Sequence, residues 1–202
     1  NILKSKIKDT KIPSIIAVSK TFPMNKILPL INYGHINFGE NKVQESLEKW
    51  SSIKQDFDHI KLHMIGKLQT NKVKYVIPLF DYIHSLDTLK LAEKISNEQI
   101  KKNKKLKIFI QVNIGNESQK SGILIDQLEN FYKKCTNDLG LSIVGLMCLP
   151  PKNSNMSNYF STMKKLSNKI NLLDLSMGMS NDFLDAAKNG ATYLRIGTKI
   201  FG

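Results

Sequence analysis

Lys107-Ile108-Phe109-Ile110-Gln111-Val112-Asn113-Ile114 is the clearest strand in the chain, dominated by β-branched and aromatic residues. A helix is expected before it over Thr88–Ile100, with Asp87 placed to cap it, and another after it over Ile125–Cys135. The same unit of short apolar run, turn and amphipathic stretch recurs in both directions. Toward the N-terminus come a strand Tyr82–Ser85 and a helix Thr70–Val76 ended near Pro78. Before these lie a strand Lys61–Ile65 closed by Gly66 and a helix Asn41–Ile53 with Val43, Leu47 and Trp50 near one face. A brief strand His35–Phe38 stopping at Gly39, a helix Met24–Asn32 that tolerates Pro29 and ends at Gly34, and a strand Ser14–Ser19 complete this half. Toward the C-terminus come a strand Leu141–Leu149, a turn at Pro150-Pro151 and a helix Tyr159–Lys169. A strand Leu172–Ser176, a helix Asn181–Lys188 ended by Gly190 and a strand Thr192–Ile196 follow.

Strands alternating with helices imply a parallel sheet, and eight of them imply a closed α/β barrel of the (β/α)₈ TIM type, here one domain over residues 1–202. A doubly wound open sheet would need a Gly-rich first turn, which is missing. The last outer helix would then have to precede the first strand, and Lys4–Lys11 is read as its remnant.

Composition narrows the function classes. A chain of 202 residues with 41% hydrophobic side chains can build a real core, and no run of apolar residues is long enough to span a bilayer. The two cysteines, Cys135 and Cys148, form neither a disulfide framework nor a metal pair, which suits a cytoplasmic protein. His59 and His63 bracket a strand start without a carboxylate trio, so no metal site is expected. The formal charge of +13 would concentrate polyanions. That excess is spread along the chain, and Arg195 is the single arginine, so a solvated lysine surface is expected and no specific nucleic-acid binding.

Conspicuous polar residues fall where the strands end at their C-terminal side, the active face of such barrels. Lys20 closes an apolar strand, where it must snorkel to water or serve as an amine made reactive by partial desolvation. Ser176-Met177-Gly178-Met179-Ser180 and Arg195-Ile196-Gly197-Thr198 are Gly/Ser/Thr turns after strands seven and eight, the usual place for a phosphate in these folds. A lysine opposite a phosphate seat points to a phosphorylated carbonyl ligand, either a sugar phosphate or pyridoxal phosphate. Residue chemistry alone leaves the two open.

An ordered series of motifs goes further. It comprises Ala17-Val18-Ser19-Lys20-Thr21, Phe38-Gly39-Glu40-Asn41 with Val43-Gln44-Glu45, and Ile65-Gly66-Lys67-Leu68-Gln69-Thr70-Asn71-Lys72. Gln111-Val112-Asn113 with Lys120-Ser121-Gly122, Gly145-Leu146-Met147, Leu175 to Ser180, and Arg195 to Thr198 with Ile200-Phe201-Gly202 continue it. In order and number these resemble the pyridoxal phosphate homeostasis protein family, relatives of the alanine-racemase-like N-terminal barrel, over essentially the full chain. The resemblance implies pyridoxal 5'-phosphate held as a Schiff base on Lys20 and Asn41 lining the pocket. It also implies Ser176, Gly197 and Thr198 on the phosphate with help from Gly178, and Arg195 near the pyridine nitrogen. A guanidinium there disfavours protonating that nitrogen and weakens the ring as an electron sink. The implied role is cofactor homeostasis rather than turnover, by a cytoplasmic monomer in transient contact with apoenzymes. A racemase, decarboxylase or lyase is the alternative. Racemases of related fold add a tyrosine from a second domain and subunit, and no such domain is expected after Gly202. His63 and Tyr82 are the side chains that could replace that tyrosine. Leu62-His63-Met64 stands where the family usually has Trp-His-Phe, an exchange expected to alter packing beside the pocket.

Overall fold

Each strand pairs in parallel with its successor and the eighth closes on the first, giving one barrel in the order β1 to β8. The computed structural model describes residues 12–151 and 155–202, so the helical remnant expected at Lys4–Lys11 lies outside the described residues. The strands are β1 Ser14–Val18, β2 Asn37–Glu40, β3 Lys61–Met64, β4 Tyr82–Leu86, β5 Lys107–Val112, β6 Ile143–Cys148, β7 Asp174–Ser176 and β8 Tyr193–Ile196. The intervening helices are α1 Met24–Asn32, α2 Val43–Trp50, a turn α3 Ile53–Asp56, α4 Val73–Leu79, α5 Leu89–Lys102, α6 Leu128–Lys133, α7 Met156–Lys169 and α8 Phe183–Lys188. A last turn α9, Thr198–Phe201, follows β8 and was not expected from sequence. Among the described residues no helix is long and apolar enough to cross a membrane.

Local chemistry explains several boundaries. At the end of α1, Gly34 takes φ 92° while its amide donates to Ile31 O and the His35 amide to Leu30 O, a closing turn that suits glycine. Asn103 closes α5 in the left-handed region, φ 46°, three residues beyond Ile100, so this helix outlasts the expected end. The cap of α5 is Thr88, whose hydroxyl accepts the Leu91 amide, and not Asp87. β2 does not stop at Gly39. A Cβ there would lie 2.8 Å from Ile16 Cγ2, so the glycine is a close-packing residue within the strand, which carries on to Glu40.

Alternation along the strands sorts side chains into two layers. Ala17, Phe38, Leu62, Met64, Ile83, Ile108, Ile110 and Leu146 pack with the helices in the main apolar core. Tyr82, Phe109 and Met147 form a separate cluster with Tyr193 against it. The Leu62 and Met64 exchanges therefore lie between barrel and helices, which corrects the expectation that they sit beside the pocket. Burying such side chains contributes about 1.5–3 kcal/mol each before chain entropy is counted.

Candidate cofactor site at the barrel mouth

Strand register gathers the candidate residues. β1 pairs with β8 through Ala17 and Ile196, and with β2 through Val18 and Gly39. Carrying both ladders forward places Asn41 beside Lys20, just past β1, on one side, and on the other Gly197 beside Val18 and Thr198 beside Ser19, the residue before Lys20. β7, which ends in Ser176 before Gly178, is the next neighbour of β8. All seven candidates thus fall on or just past four consecutive strands, β7, β8, β1 and β2.

Their exposure differs. Lys20 and Thr198 are exposed, Asn41 and Gly197 half-buried, and Gly178, Ser176 and Arg195 buried. Lys20 stands exposed in the turn that follows β1. Phe22, just after this turn, packs its ring 5.0 Å from that of Phe201 in α9, tying the end of β8 to the end of β1. The first amides of α9 have no intrahelical acceptor, and Thr198 adds a hydroxyl beside them. Gly178 takes φ 89°, and a Cβ there would meet Ala186 Cβ at 2.5 Å, so this turn admits only glycine. On the far side, a Cβ on Gly66 would strike the Asn41 carbonyl at 2.4 Å, which presses the strand three turn onto Asn41.

Inside the barrel runs a chain of polar contacts that the sequence reading missed. Arg195 Nη1 donates to Ser176 Oγ at 2.7 Å and Nη2 to the Cys148 carbonyl at 2.9 Å. Ser176 Oγ lies 2.9 Å from His84 Nδ1, His84 Nε2 lies 2.9 Å from His63 Nδ1, and His63 Nε2 lies 3.0 Å from Asn37 Oδ1. His63 stacks on Tyr82 at 4.2 Å and His84 on Phe109 at 4.3 Å. Both histidines are fully buried, and burial holds His63 down to about 3 and His84 well below the ordinary value, with neighbouring cations lowering both further. Arg195 enters none of the ion pairs among the described residues, although it is only 5% exposed. His84 carried no motif signal. It was legible only as a strand position facing inward.

A second network lies under Lys20. Glu40 is fully buried, and its Oε1 accepts from Ser19 Oγ at 2.8 Å, Lys49 Nζ at 3.0 Å and Trp50 Nε1 at 3.0 Å. The one sequence signal for it was Glu45 four residues before Lys49 on a helix. A surface groove of about 650 Å³ lies in the helix layer between α2, α4 and α5, not at the barrel mouth.

A closed parallel barrel with a lysine past its first strand and glycine turns after its last two is the architecture of the alanine racemase N-terminal domain, and the pattern of that family matches residues 1–202. The Aquifex aeolicus pyridoxal phosphate homeostasis protein is 38% identical over 197 residues, covering 93% of this chain and 86% of that one. The Escherichia coli K12 protein of the same name is 34% identical, covering 94% and 85%. This chain belongs to the pyridoxal phosphate homeostasis protein family. The structure of PipY from Synechococcus elongatus without PLP superposes with a TM-score of 0.90 at 30% identity, covering 99% and 98% of the two chains. The same protein with PLP bound gives 0.87. A Clostridium difficile alanine racemase shares the fold, with a TM-score of 0.75 at 13% identity over 54% of its chain.

Proposed function

We propose that this chain, as one domain, holds pyridoxal 5'-phosphate on Lys20 as a Schiff base and serves intracellular cofactor homeostasis with little turnover of substrate. The observation that supports this reading is the register that sets Lys20 beside Asn41 and one residue past Ser19, which lies beside Thr198. The names of its relatives, and the PLP-bound state of a chain 30% identical over 100% of this one, point the same way.

The donor set fits the group. Pyridoxal phosphate supplies an aldehyde that condenses with a primary amine and loses water. Lys20, exposed at the mouth, supplies that amine. The Thr198 hydroxyl and the amides around Gly178, Gly197 and Thr198 offer donors to a phosphate. Asn41 lines the opposite wall. Arg195 is a buried cation with no ion-pair partner among the described residues, and a neutral acceptor such as an unprotonated pyridine nitrogen suits it better than a protonated one. Ser176 enters as the support of Arg195. Its hydroxyl accepts from Arg195 and lies 2.9 Å from His84 Nδ1, and it stands before Gly178 on the phosphate side of the mouth.

The remaining parts of the reading follow from this one. A cytoplasmic monomer would keep the aldehyde from stray amines and pass it to apoenzymes by transient contact. Adding pyridoxal phosphate, reducing with borohydride and mapping peptides is the test. Label on Lys20 is the expected result, and label on another lysine would overturn the assignment.

A further inference from the structure

Lys49 lies on α2, outside the residues assigned to the cofactor, and its side chain is only 10% exposed. An ammonium carries three hydrogens, and Lys49 has an acceptor for each: the Ser19 carbonyl at 2.9 Å, Glu40 Oε1 at 3.0 Å and Glu45 Oε1 at 2.9 Å. Glu45 Oε1 also accepts the Thr21 amide at 2.7 Å. One cation therefore reaches the backbone on both sides of Lys20, directly at Ser19 and through Glu45 at Thr21.

The turn it holds is strained. Thr21 takes φ 64°, where a β-branched side chain crowds its own backbone. Such a conformation persists only where its surroundings over-determine it, and it tends to cluster where geometry serves function. Here the surroundings are the Glu45 carboxylate on the Thr21 amide, and Glu40 gripping the Ser19 hydroxyl from beneath. Neither Arg nor Met reproduces the three-way contact: a guanidinium is a planar fork, and a thioether donates nothing.

We propose that Lys49 is the positioning residue for Lys20, clamping with Glu45 the strained turn from which the Lys20 side chain departs. The clamp rests on the reading of Lys20 as the cofactor's amine, and its effect should be confined to that amine. The phosphate donors sit on the turns after β7 and β8, which Lys49 does not touch.

The test compares full-length wild type with Lys49→Met and with Glu45→Ala, a partly exposed residue whose loss spares the buried carboxylate. Hydrogen exchange of the Thr21 amide in cofactor-free protein should quicken by roughly tenfold or more in both variants. Borohydride trapping of pyridoxal phosphate on Lys20 should slow by about tenfold or more, since a misplaced reacting group loses rate steeply. Binding of inorganic phosphate should stay within about twofold, where general damage to the fold would lower it in parallel. Alkylating the Lys49→Cys protein with 2-bromoethylamine rebuilds an ammonium of similar reach and should restore trapping. Cys135 and Cys148 are spared in that reaction because burial pushes both thiols up to about 12. Wild-type exchange at Thr21 with wild-type trapping in Glu45→Ala, or parallel loss of phosphate binding and trapping in both variants, overturns the proposal. Failure of wild type to be trapped on Lys20 would refute the assignment of Lys20 instead, and unaltered Thr21 exchange in the variants would then separately refute the clamp.

Discussion

Arg195 Nη1 donates to Ser176 Oγ across 2.7 Å, at one end of a chain of hydrogen bonds inside the barrel. A guanidinium can only donate, so Ser176 accepts from it. At the other end, the Asn37 carboxamide oxygen can only accept, so His63 Nε2 carries a proton. Neutral His63 then accepts at Nδ1 from His84 Nε2, and His84 accepts at Nδ1 from the Ser176 hydroxyl. The chain runs one way, from Arg195 to Asn37, and each histidine must stay neutral for it to close.

That requirement gives a pH dependence. Each histidine has a folded pKa below the unfolded value, so its contribution is complete above about 6.5 and is lost as pH falls, down to about 3 for His63. Burial also lowers His35, which adds in the same sense. Denaturant unfolding should show stability falling from pH 7 to pH 5, with a slope that approaches roughly 1.4 kcal/mol per pH unit for each buried histidine well below pH 6.5. Equal stability at the two pH values would mean that these rings are not buried neutral.

Ser176 and Thr198 should separate cleanly. Ser176→Ala removes the acceptor of a buried guanidinium and the donor to His84, and should cost about 1–3 kcal/mol in denaturant melts. Thr198 is exposed, so Thr198→Ala should leave stability within about 0.5 kcal/mol. It should instead weaken retention of inorganic phosphate and of pyridoxal phosphate by about 1–3 kcal/mol. A Thr198→Ala protein with undiminished phosphate affinity would remove that hydroxyl from the seat.

Two glycines test the turn after β7. Gly34 and Gly178 have nearly the same φ, 92° and 89°, but a Cβ on Gly34 meets nothing within 4 Å, while one on Gly178 meets Ala186 Cβ at 2.5 Å. Gly34→Ala should cost about 1–2 kcal/mol from backbone strain alone. Gly178→Ala should cost about 1–3 kcal/mol beyond that for overpacking, and should disturb phosphate binding as well. Equal melting shifts in the two variants would deny the close packing of this turn.

The strands and helices were legible because each half of the pattern is local: apolar runs of strand length, amphipathic stretches, and glycines or prolines between them. What was misread depended on distant neighbours. Gly39 reads as a stop, yet it lies within a strand where Ile16 on β1 and Ile65 just past β3 leave no room for a Cβ. Asp87 reads as a cap, yet the carboxyl is half-buried and pushed up by desolvation, while Thr88 takes the capping bond. At the site, Lys20, Asn41, Gly197 and Thr198 were legible from their place after strands. The supports of the site were not, because Lys49 meets Ser19 across thirty positions and His84 meets Ser176 across ninety-two. Only the folded barrel brings them together.

The sharpest division left is between holding the cofactor and using it to remake amino acids. Carbanion chemistry needs the ring as an electron sink and an acid or base on the face opposite the lysine. Arg195, a buried guanidinium already donating to Ser176 and Cys148, would disfavour a protonated pyridine and so weaken the sink. His63 and Tyr82 are poor sources of the second group. His63 spends both ring nitrogens on Asn37 and His84, and burial keeps it neutral far below neutral pH. Tyr82 opens β4, at the end of the barrel away from the mouth, where it is buried against His63 and under Lys107 Nζ at 5.5 Å from its ring. Holo-protein incubated with a panel of amino acids in deuterated water should therefore exchange α-protons slowly, and the His63→Gln and Tyr82→Phe proteins should exchange no more slowly than wild type. Rapid exchange on any amino acid would establish a catalytic function, and its loss in either variant would restore that residue as the acid or base.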